Sequence, residues 1–303
     1  MSPKPPLLML LTNPALRCLE HVGDLYDLRH EPAPGIRAAL CAGIGFDAAM
    51  MDAAPDLQMI SLAEVGYDRI DVDYARVRRI AVTNTPDVLT DDVADLAIGL
   101  MLAVARRLPA NDLYVRQGRW AAEGPPPLAR RASGRRIGVL GLGRIGQAIA
   151  TRAAPFASEI GYFSRRPRSE AADYLYFDDP VALAAWAEIL VVAVSGGPAT
   201  AGLVDWRVIE ALGPDGMLIN ISRGSVVNEA ELVAALQAGR LGSAGLDVFA
   251  HEPHVPEALL GMDNVVLMPH QASATRETRK AMADLALANL AAFFAGEPLL
   301  TPI

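Results

Sequence analysis

The sequence has 303 residues, of which 52% are apolar and 20% are charged. This composition excludes an intrinsically disordered chain, and the length predicts two domains at about 150 residues each. The 35 acidic and 27 basic residues give a net charge of -8. Such a charge excludes attraction of nucleic acid or an anionic membrane through the overall field.

Two cysteines, Cys18 and Cys41, are too few for a disulfide framework and are typical of a reducing compartment. We expect both cysteines to fill space among apolar side chains. We also expect a cytoplasmic protein. The apolar run 7–11 is too short for a signal peptide and predicts a first buried strand. The longest apolar stretch, 96–105, covers half a bilayer and predicts a buried helix, with Thr90 as its N-cap.

Up to about residue 85, short apolar runs alternate with helical or turn-like pieces, which predicts a small α/β sheet. Its predicted strands are 7–11, 38–41, 59–62 and 80–82. The predicted helix around 96–105 is followed by a loop at 118–136, rich in Gly, Pro and Arg. This loop is interpreted as a solvated connection or, alternatively, as a contact with a partner subunit.

From residue 136 the pattern becomes regular, with continuous apolar runs separated by helix-like stretches. The runs are 137–140, 160–163, 189–194, 217–221, 244–249 and 265–268, and a last helix is predicted at 275–295. Short apolar strands that alternate with helices indicate a parallel sheet covered on both faces. Six such strands match the two halves of a doubly wound fold.

A glycine motif follows the strand 137–140 and opens a helix. It reads Gly141-Leu142-Gly143-Arg144-Ile145-Gly146. In this context Gly141 permits a tight turn, Gly143 lets the backbone approach a pyrophosphate, and Gly146 allows close packing of helix and strand. The free N–H groups at the helix N-terminus then bind the phosphates, so the motif predicts a dinucleotide site.

The end of the second strand indicates which dinucleotide binds. NAD-binding domains place Asp or Glu about 20 residues after the glycines, to hold the ribose 2′-hydroxyl. Here Ser164, Arg165 and Arg166 occupy this position, and the next carboxylate after them is Glu170. Two guanidinium groups and a hydroxyl suit a 2′-phosphate, which predicts NADP(H). The alternative interpretation is a solvated arginine pair.

Three candidate catalytic residues follow three later strands. Arg223 comes after 217–221, Glu252 after 244–249 and His270 after 265–268. All three are therefore expected at the edge of the sheet that carries the glycine motif. An arginine can hold a carboxylate bidentately, and a histidine oriented by a carboxylate can exchange a proton with a carbonyl or hydroxyl oxygen. No metal site is predicted.

Several segments together resemble the D-isomer-specific 2-hydroxyacid dehydrogenase family, and more closely its glyoxylate/hydroxypyruvate reductase branch. They are Val65-Gly66-Tyr67-Asp68 and the segments 83–90, 138–147, 219–228, 245–253 and 269–275. The resemblance implies a Rossmann doubly wound cofactor domain, residues 100–283, inserted into a smaller flavodoxin-like α/β substrate domain, residues 1–99 and 284–303. It also implies a homodimer.

The same resemblance implies roles for single residues. Arg223 would bind the carboxylate of a 2-oxoacid, His270 would protonate its carbonyl oxygen, and Glu252 would sustain the histidine. The main chain of Val65 and Gly66 would add N–H donors to the substrate carboxylate. Further cofactor contacts would come from Thr90, Ser195, Thr200, Ile221, Asp247 and Ala272.

One departure from the family pattern concerns Glu64, which stands where the family more usually has a small residue. A carboxylate at this position should repel an anionic substrate unless it turns away or meets a cation. The sequence therefore predicts NADPH-dependent reduction of a small 2-oxoacid such as glyoxylate or hydroxypyruvate. The alternatives are a 2-ketogluconate-type sugar-acid reductase and, in a different class, a non-catalytic NAD(P)-sensing binding protein.

Overall fold

The structure is a computed structural model that describes residues 4–11 and 21–303. Cys18 lies outside these residues. The chain divides into two compact units. Unit 1 comprises Met1–Leu89 and Ser273–Ile303, and unit 2 comprises Thr90–Ala272.

Unit 1 contains a five-stranded parallel sheet. Its strands are β1 (Pro6–Leu11), β2 (Asp27–Arg29), β3 (Ala38–Ala42), β4 (Met59–Leu62) and β5 (Ala81–Thr83). They are arranged in the order β2-β1-β3-β4-β5, which is the flavodoxin-like order expected for this part of the chain. The helices of this unit are α1 (Val22–Leu25), α2 (Ala48–Ala53), α3 (Val72–Val77) and, from the C-terminal segment, α12 (Arg276–Ala295).

Both faces of the unit 1 sheet are covered. Successive residues of a strand point to opposite faces, and accordingly Leu7 and Leu8 lie in different apolar clusters. The cluster of Leu7 is completed by small and apolar residues of α12, namely Ala283, Ala286 and Leu290. Cys41 is fully buried in the cluster on the other face. Burial, with a smaller contribution from Glu64, raises the pKa of the Cys41 thiol, so this cysteine is apolar filling as predicted.

Unit 2 contains a seven-stranded parallel sheet. Its strands are β6 (Arg135–Leu140), β7 (Ala157–Phe163), β8 (Leu175–Phe177), β9 (Ile189–Val192), β10 (Met217–Asn220), β11 (Ser243–Leu246) and β12 (Val265–Leu267). Their order, β12-β11-β10-β9-β6-β7-β8, is that of a Rossmann sheet extended by one strand. The strand order reverses where β6 lies between β7 and β9. In doubly wound sheets, ligands bind beyond the carboxyl ends of the strands at this position.

Eight helices of unit 2 accompany these strands. They are α4 (Thr90–Arg106), α5 (Leu108–Arg116), α6 (Arg119–Glu123), α7 (Arg144–Ala153), α8 (Pro180–Trp186), α9 (Trp206–Leu212), α10 (Glu229–Gln237) and α11 (Glu257–Leu260). The segment 118–136, predicted as a loop, therefore contains helix α6 and the start of strand β6. No helix of the described residues combines the length and the apolar composition that crossing a bilayer requires.

The domain boundaries expected from the sequence differ from the observed division. The expected cuts at 99/100 and 283/284 fall inside α4 and α12. A helix is hydrogen-bonded along its whole length, so its residues stay with the sheet on which it packs. Helix α4 packs on β10 and β11 and belongs entirely to unit 2, whereas α12 packs on β4 and belongs to unit 1.

Candidate active site

The glycine motif forms a tight turn between β6 and α7. Gly141 has φ +103°, and a Cβ there would lie 2.7 Å from Val194 Cγ1. A Cβ on Gly146 would lie 2.0 Å from the carbonyl oxygen of Gly141, so neither position accepts a side chain. A Cβ on Gly143 would meet no protein atom within 4 Å. The structure therefore leaves open space at Gly143, where a dinucleotide's pyrophosphate would approach the backbone.

The other residues of the motif follow the same logic. Leu142 is buried, and Arg144 and Ile145 begin helix α7. Gly143 is the N-cap of this ten-residue helix, and no side-chain hydrogen bond caps the helix there. Backbone N–H groups at such a helix start are suitable donors for phosphate oxygens. The residues at this turn thus suit the dinucleotide predicted from the sequence.

The end of β7 presents two arginines to solvent. Arg165 and Arg166 are exposed, and within the described residues neither guanidinium makes an ion pair or a hydrogen bond. The hydroxyl of Ser164 donates to the carbonyl oxygen of Arg166 at 2.5 Å, which tightens the turn that carries them. Glu170, the first carboxylate after the strand, accepts a hydrogen bond from Gln147 at 3.1 Å.

The remaining predicted cofactor residues also belong to unit 2. Thr90 is the first residue of α4, and Ile221 is buried directly after β10. Ser195 and Thr200 lie in the loop after β9, where the Thr200 hydroxyl donates to the Ser195 carbonyl oxygen at 2.6 Å. Asp247 and Ala272 follow β11 and β12, and the Ala272 N–H donates to the Asp247 carboxylate at 3.0 Å.

His270 and Glu252 form a hydrogen-bonded pair. Nδ1 of His270 lies 2.8 Å from Oε2 of Glu252. The other carboxylate oxygen of Glu252 accepts the N–H of Phe249 at 3.1 Å, so the carboxylate is fixed by the segment that follows β11. The His270 side chain is 42% exposed, which leaves its ring accessible to a ligand. The structure thus brings together the histidine and the carboxylate that the sequence places after two different strands.

The backbone around His270 is held by Asp247. His270 adopts φ +53°, a left-handed conformation that costs a non-glycine residue about 1 kcal/mol or more. Its N–H donates to the carbonyl oxygen of Asp247 at 2.8 Å, and the buried Asp247 carboxylate accepts the N–H groups of Gln271 and Ala272. Burial raises the pKa of Asp247 despite these two hydrogen bonds. The sequence did not indicate this supporting role.

Arg223 lies just beyond β10. Its guanidinium donates to the Ser222 carbonyl oxygen at 3.0 Å. The turn is held by Asn220, which is almost fully buried, accepts the Ser222 N–H at 3.1 Å and donates to the Arg223 carbonyl oxygen at 3.1 Å. Sequence reasoning missed Asn220. The available signal was a polar amide at the end of an otherwise apolar strand, immediately before the candidate arginine.

Val65 and Gly66 lie in unit 1, in the segment after β4. Both are half-buried, and they precede the exposed Tyr67. The carboxylate of Glu64 accepts a hydrogen bond from the N–H of Gly43, in the loop after β3. This bond gives the unusual acid at position 64 a donor within its own unit.

Comparison with known proteins identifies the family. The profile of the D-isomer specific 2-hydroxyacid dehydrogenase NAD-binding domain matches residues 98–272. A hydroxyphenylpyruvate reductase from Plectranthus scutellarioides is 53% identical over 272 residues, which cover 89% of this chain and 86% of that protein. This chain belongs to the D-isomer specific 2-hydroxyacid dehydrogenases. Among further members, a 2-ketogluconate reductase from Gluconobacter oxydans is 47% identical over 89% of this dehydrogenase and 87% of its own length.

A solved structure shows the same fold along nearly the whole dehydrogenase. It is an NADPH-dependent glyoxylate/hydroxypyruvate reductase from Sinorhizobium meliloti, in complex with NADP and malonate. The two chains are 43% identical and superimpose with a TM-score of 0.93, over 99% of this chain and 97% of the other. The predicted family and its glyoxylate/hydroxypyruvate reductase branch are thus confirmed.

Proposed function

We propose that this dehydrogenase reduces a small 2-oxoacid, such as glyoxylate or hydroxypyruvate, to the D-2-hydroxyacid with NADPH. The observation that carries the proposal is the 2.8 Å contact between His270 and Glu252, in the unit that also holds the glycine turn. A histidine oriented by a carboxylate is an arrangement suited to general acid–base catalysis on a carbonyl group.

The roles proposed for the side chains combine the His270–Glu252 geometry with the family resemblance. Because Nδ1 of His270 faces Glu252, Nε2 is the ring nitrogen that transfers a proton to the substrate carbonyl oxygen. Glu252 accepts the Nδ1–H, orients the ring and stabilises its positive charge before the transfer. Arg223 binds the substrate carboxylate and so directs the carbonyl. The family resemblance also assigns substrate-carboxylate binding to the N–H groups of Val65 and Gly66 in unit 1. When bound, NADPH supplies the hydride that reduces the carbonyl carbon.

The preference for NADPH rests on the end of β7. The exposed guanidinium groups of Arg165 and Arg166 suit a 2′-phosphate, and a carboxylate that would hold a 2′-hydroxyl is absent from positions 163–169. The Sinorhizobium meliloti relative was solved with NADP, which supports the same cofactor here. Thr90, Ser195, Thr200, Ile221, Asp247 and Ala272 are proposed as further cofactor contacts.

A sugar acid is the second candidate substrate. The similarity to the 2-ketogluconate reductase from Gluconobacter oxydans favours it, since that protein is 47% identical to this chain. A 2-ketogluconate molecule presents the same carboxylate and neighbouring carbonyl to the proposed groups and differs in its longer polyol chain. The non-catalytic alternative has no such support, because the relatives named above are reductases.

A panel of 2-oxoacids, assayed by the loss of nicotinamide absorbance with NADPH and with NADH, tests the proposal. We expect the highest kcat/KM with glyoxylate or hydroxypyruvate and NADPH. The highest kcat/KM with 2-ketogluconate would favour the second candidate. Absence of NADPH oxidation with every member of the panel would refute the proposed activity.

A His270→Gln variant tests the acid–base role. It removes the transferable proton, so we expect turnover to fall by at least about 100-fold while NADPH binding is retained. The matched control is His21→Gln, which changes an exposed histidine of unit 1. Normal kcat in His270→Gln would contradict the assigned role.

We also propose a cytoplasmic homodimer. The family resemblance supports the dimer, as do exposed apolar side chains on α5 and α6, namely Leu108, Leu113, Val115 and Trp120. The low cysteine content suits a reducing compartment. Sedimentation at micromolar concentration should give a single species of twice the 32.2 kDa chain mass, and a monomer would contradict the dimer.

A further inference from the structure

The segment after β4 offers two backbone donors side by side. Within residues 4–11 and 21–303, the N–H groups of Val65 and Gly66 donate no hydrogen bond. Half-buried N–H groups normally have an acceptor in the protein, in water or in a ligand. Under the proposed function, that acceptor is the substrate carboxylate. The orientation of these two groups then matters, because hydrogen bonds weaken steeply when donor and acceptor are misaligned.

Two neighbouring residues fix both peptide planes. The carbonyl oxygen of Glu64 accepts the backbone N–H of Thr85 at 2.9 Å. The carbonyl oxygen of Val65 accepts the side-chain amide of Asn84 at 2.8 Å. In a planar trans peptide the C=O and the following N–H point in opposite directions. The bond from Thr85 therefore directs the Val65 N–H away from Thr85, and the bond from Asn84 directs the Gly66 N–H away from Asn84.

Asn84 is itself held by the C-terminal residues. The Thr301 hydroxyl donates to the Asn84 carbonyl oxygen at 2.6 Å, and the Asn84 N–H donates to the Thr301 carbonyl oxygen at 3.3 Å. Thr301 is fixed by Asn289 of α12, which is fully buried. The Asn289 oxygen accepts the N–H groups of Leu300 and Thr301, and its amide donates to the Thr301 hydroxyl and the Leu285 carbonyl oxygen. All polar positions of this buried amide are used, so the network has one arrangement.

We propose that Asn84 is a positioning residue for substrate binding, which aims the Gly66 N–H at the substrate carboxylate and is held in place by Thr301. The inference rests on the proposed function. Asn84 acts on substrate binding indirectly, because it orients the Val65–Gly66 peptide whose N–H binds the carboxylate. The amide is chemically required, because its NH₂ group donates to the Val65 carbonyl oxygen. The Thr85 contact comes from the backbone and would persist in any variant except proline.

The first test is Asn84→Ala, assayed with glyoxylate and NADPH. A hydrogen bond to a charged group is worth enough for roughly a tenfold effect or more. We therefore expect the KM for the 2-oxoacid to rise about tenfold, while the KM for NADPH changes less than about twofold. The inhibition constant of malonate, a dicarboxylate without a reducible carbonyl, should rise by the same factor as the KM. A purely structural role would lower the melting temperature without this selective loss of carboxylate binding.

Two further variants keep the test decisive if Asn84→Ala folds poorly. Thr301→Val removes the hydroxyl that supports Asn84 and should raise the 2-oxoacid KM about threefold, whereas Thr301→Ser should restore it. The matched control is Asn264→Ala, since Asn264 makes the same kind of bond, an amide donating to the Gly242 carbonyl oxygen at 3.0 Å in unit 2. Its kinetic constants should stay at the wild-type values.

The outcomes separate this inference from the proposed function. A wild-type enzyme inactive toward every 2-oxoacid overturns the proposed function and this inference with it. An active wild type whose Asn84→Ala variant keeps its 2-oxoacid KM and malonate inhibition constant overturns the positioning role alone. A selective rise of both constants, reproduced in part by Thr301→Val, supports it.

Discussion

A single added methyl group should have different effects at two glycines of the same turn: at Gly146 it should lower stability, and at Gly143 it should weaken cofactor binding. A Cβ on Gly146 would lie 2.0 Å from the Gly141 carbonyl oxygen, whereas real Cβ atoms stay beyond 3.0 Å. The backbone must therefore shift by at least 1.0 Å in Gly146→Ala. Overpacking of this kind costs about 1–3 kcal/mol of the free energy of unfolding. At about 2–4 °C per kcal/mol, the melting temperature of this variant should fall by roughly 2–12 °C.

Gly143→Ala should leave the fold intact and impair cofactor binding. Gly143 has φ −82°, which alanine adopts freely, and its Cβ would meet no protein atom within 4 Å. Alanine is a poorer N-cap than glycine, by up to about 1 kcal/mol, but it loses about 0.4–1 kcal/mol less entropy on folding, so the two effects largely offset each other. The methyl group would occupy the space through which a pyrophosphate approaches the backbone. We expect the Kd for NADPH to rise at least about tenfold.

The assay combines thermal unfolding, followed by circular dichroism, with titration of NADPH, followed by its fluorescence. Gly261→Ala is the matched control, because Gly261 has φ −98° and open space around it. Its melting temperature and Kd should equal those of the wild type. Wild-type affinity in Gly143→Ala would refute the assignment of the pyrophosphate site. An unchanged melting temperature in Gly146→Ala would refute the packing argument.

Two further predictions concern charged groups of unit 2. Replacing Arg165 and Arg166 by alanine should raise the KM for NADPH at least about tenfold and change that for NADH much less, because two charge-assisted bonds to the 2′-phosphate are lost. Burial alone would raise the pKa of Glu188, but hydrogen bonds from Arg135 and the Arg136 N–H outweigh it and hold this pKa below its usual 4.5. Glu188 therefore stabilises the fold above pH 4.5. Glu188→Gln should lower the free energy of unfolding by about 1 kcal/mol at pH 7, and the deficit should shrink as the pH falls below 4.5 towards the lowered pKa.

Each of these predictions has a contradicting outcome. Arg207→Ala, which removes an exposed arginine paired with Asp205, is the control for the arginine pair and should leave both cofactor KM values unchanged. If the ratio of the KM for NADPH to the KM for NADH is the same in the wild type and the double variant, the argument for 2′-phosphate binding is refuted. For Glu188→Gln, urea unfolding from pH 7 to pH 3 should show the shrinking deficit. A deficit that stays constant over this range would exclude the charge interaction as its source.

The sequence predicted the elements whose signal is local. Strands β3, β4 and β9 are buried in every residue and were recognised as continuous apolar runs. Strands β2 and β8 were missed because each has three residues at the edge of a sheet, and Leu175 and Tyr176 of β8 are exposed to 45% and 36%. Such strands are defined by pairing with a neighbour, which composition does not reveal.

The same distinction applies to the candidate site. His270, Glu252 and the glycine turn were found because each comes within a few residues of a predicted strand and carries its own chemical signal. The network of Asn84, Asn289 and Thr301 gave no such signal, since its members are separated by up to 217 residues. The left-handed conformation of His270 was equally invisible, because it depends on hydrogen bonds with Asp247.

The distribution of unit 1 along the chain determines when it can fold during synthesis. The Ser61 hydroxyl donates to the Ala286 carbonyl oxygen at 3.0 Å across 225 residues. Ala283 and Leu290 complete the apolar cluster that contains Leu7. Domains generally fold as units while the ribosome extends the chain. Unit 2 is one uninterrupted stretch, 90–272, and is complete before α12 has been made. On the ribosome we therefore expect unit 2 to fold first. One face of the unit 1 sheet stays incompletely covered until translation reaches α12.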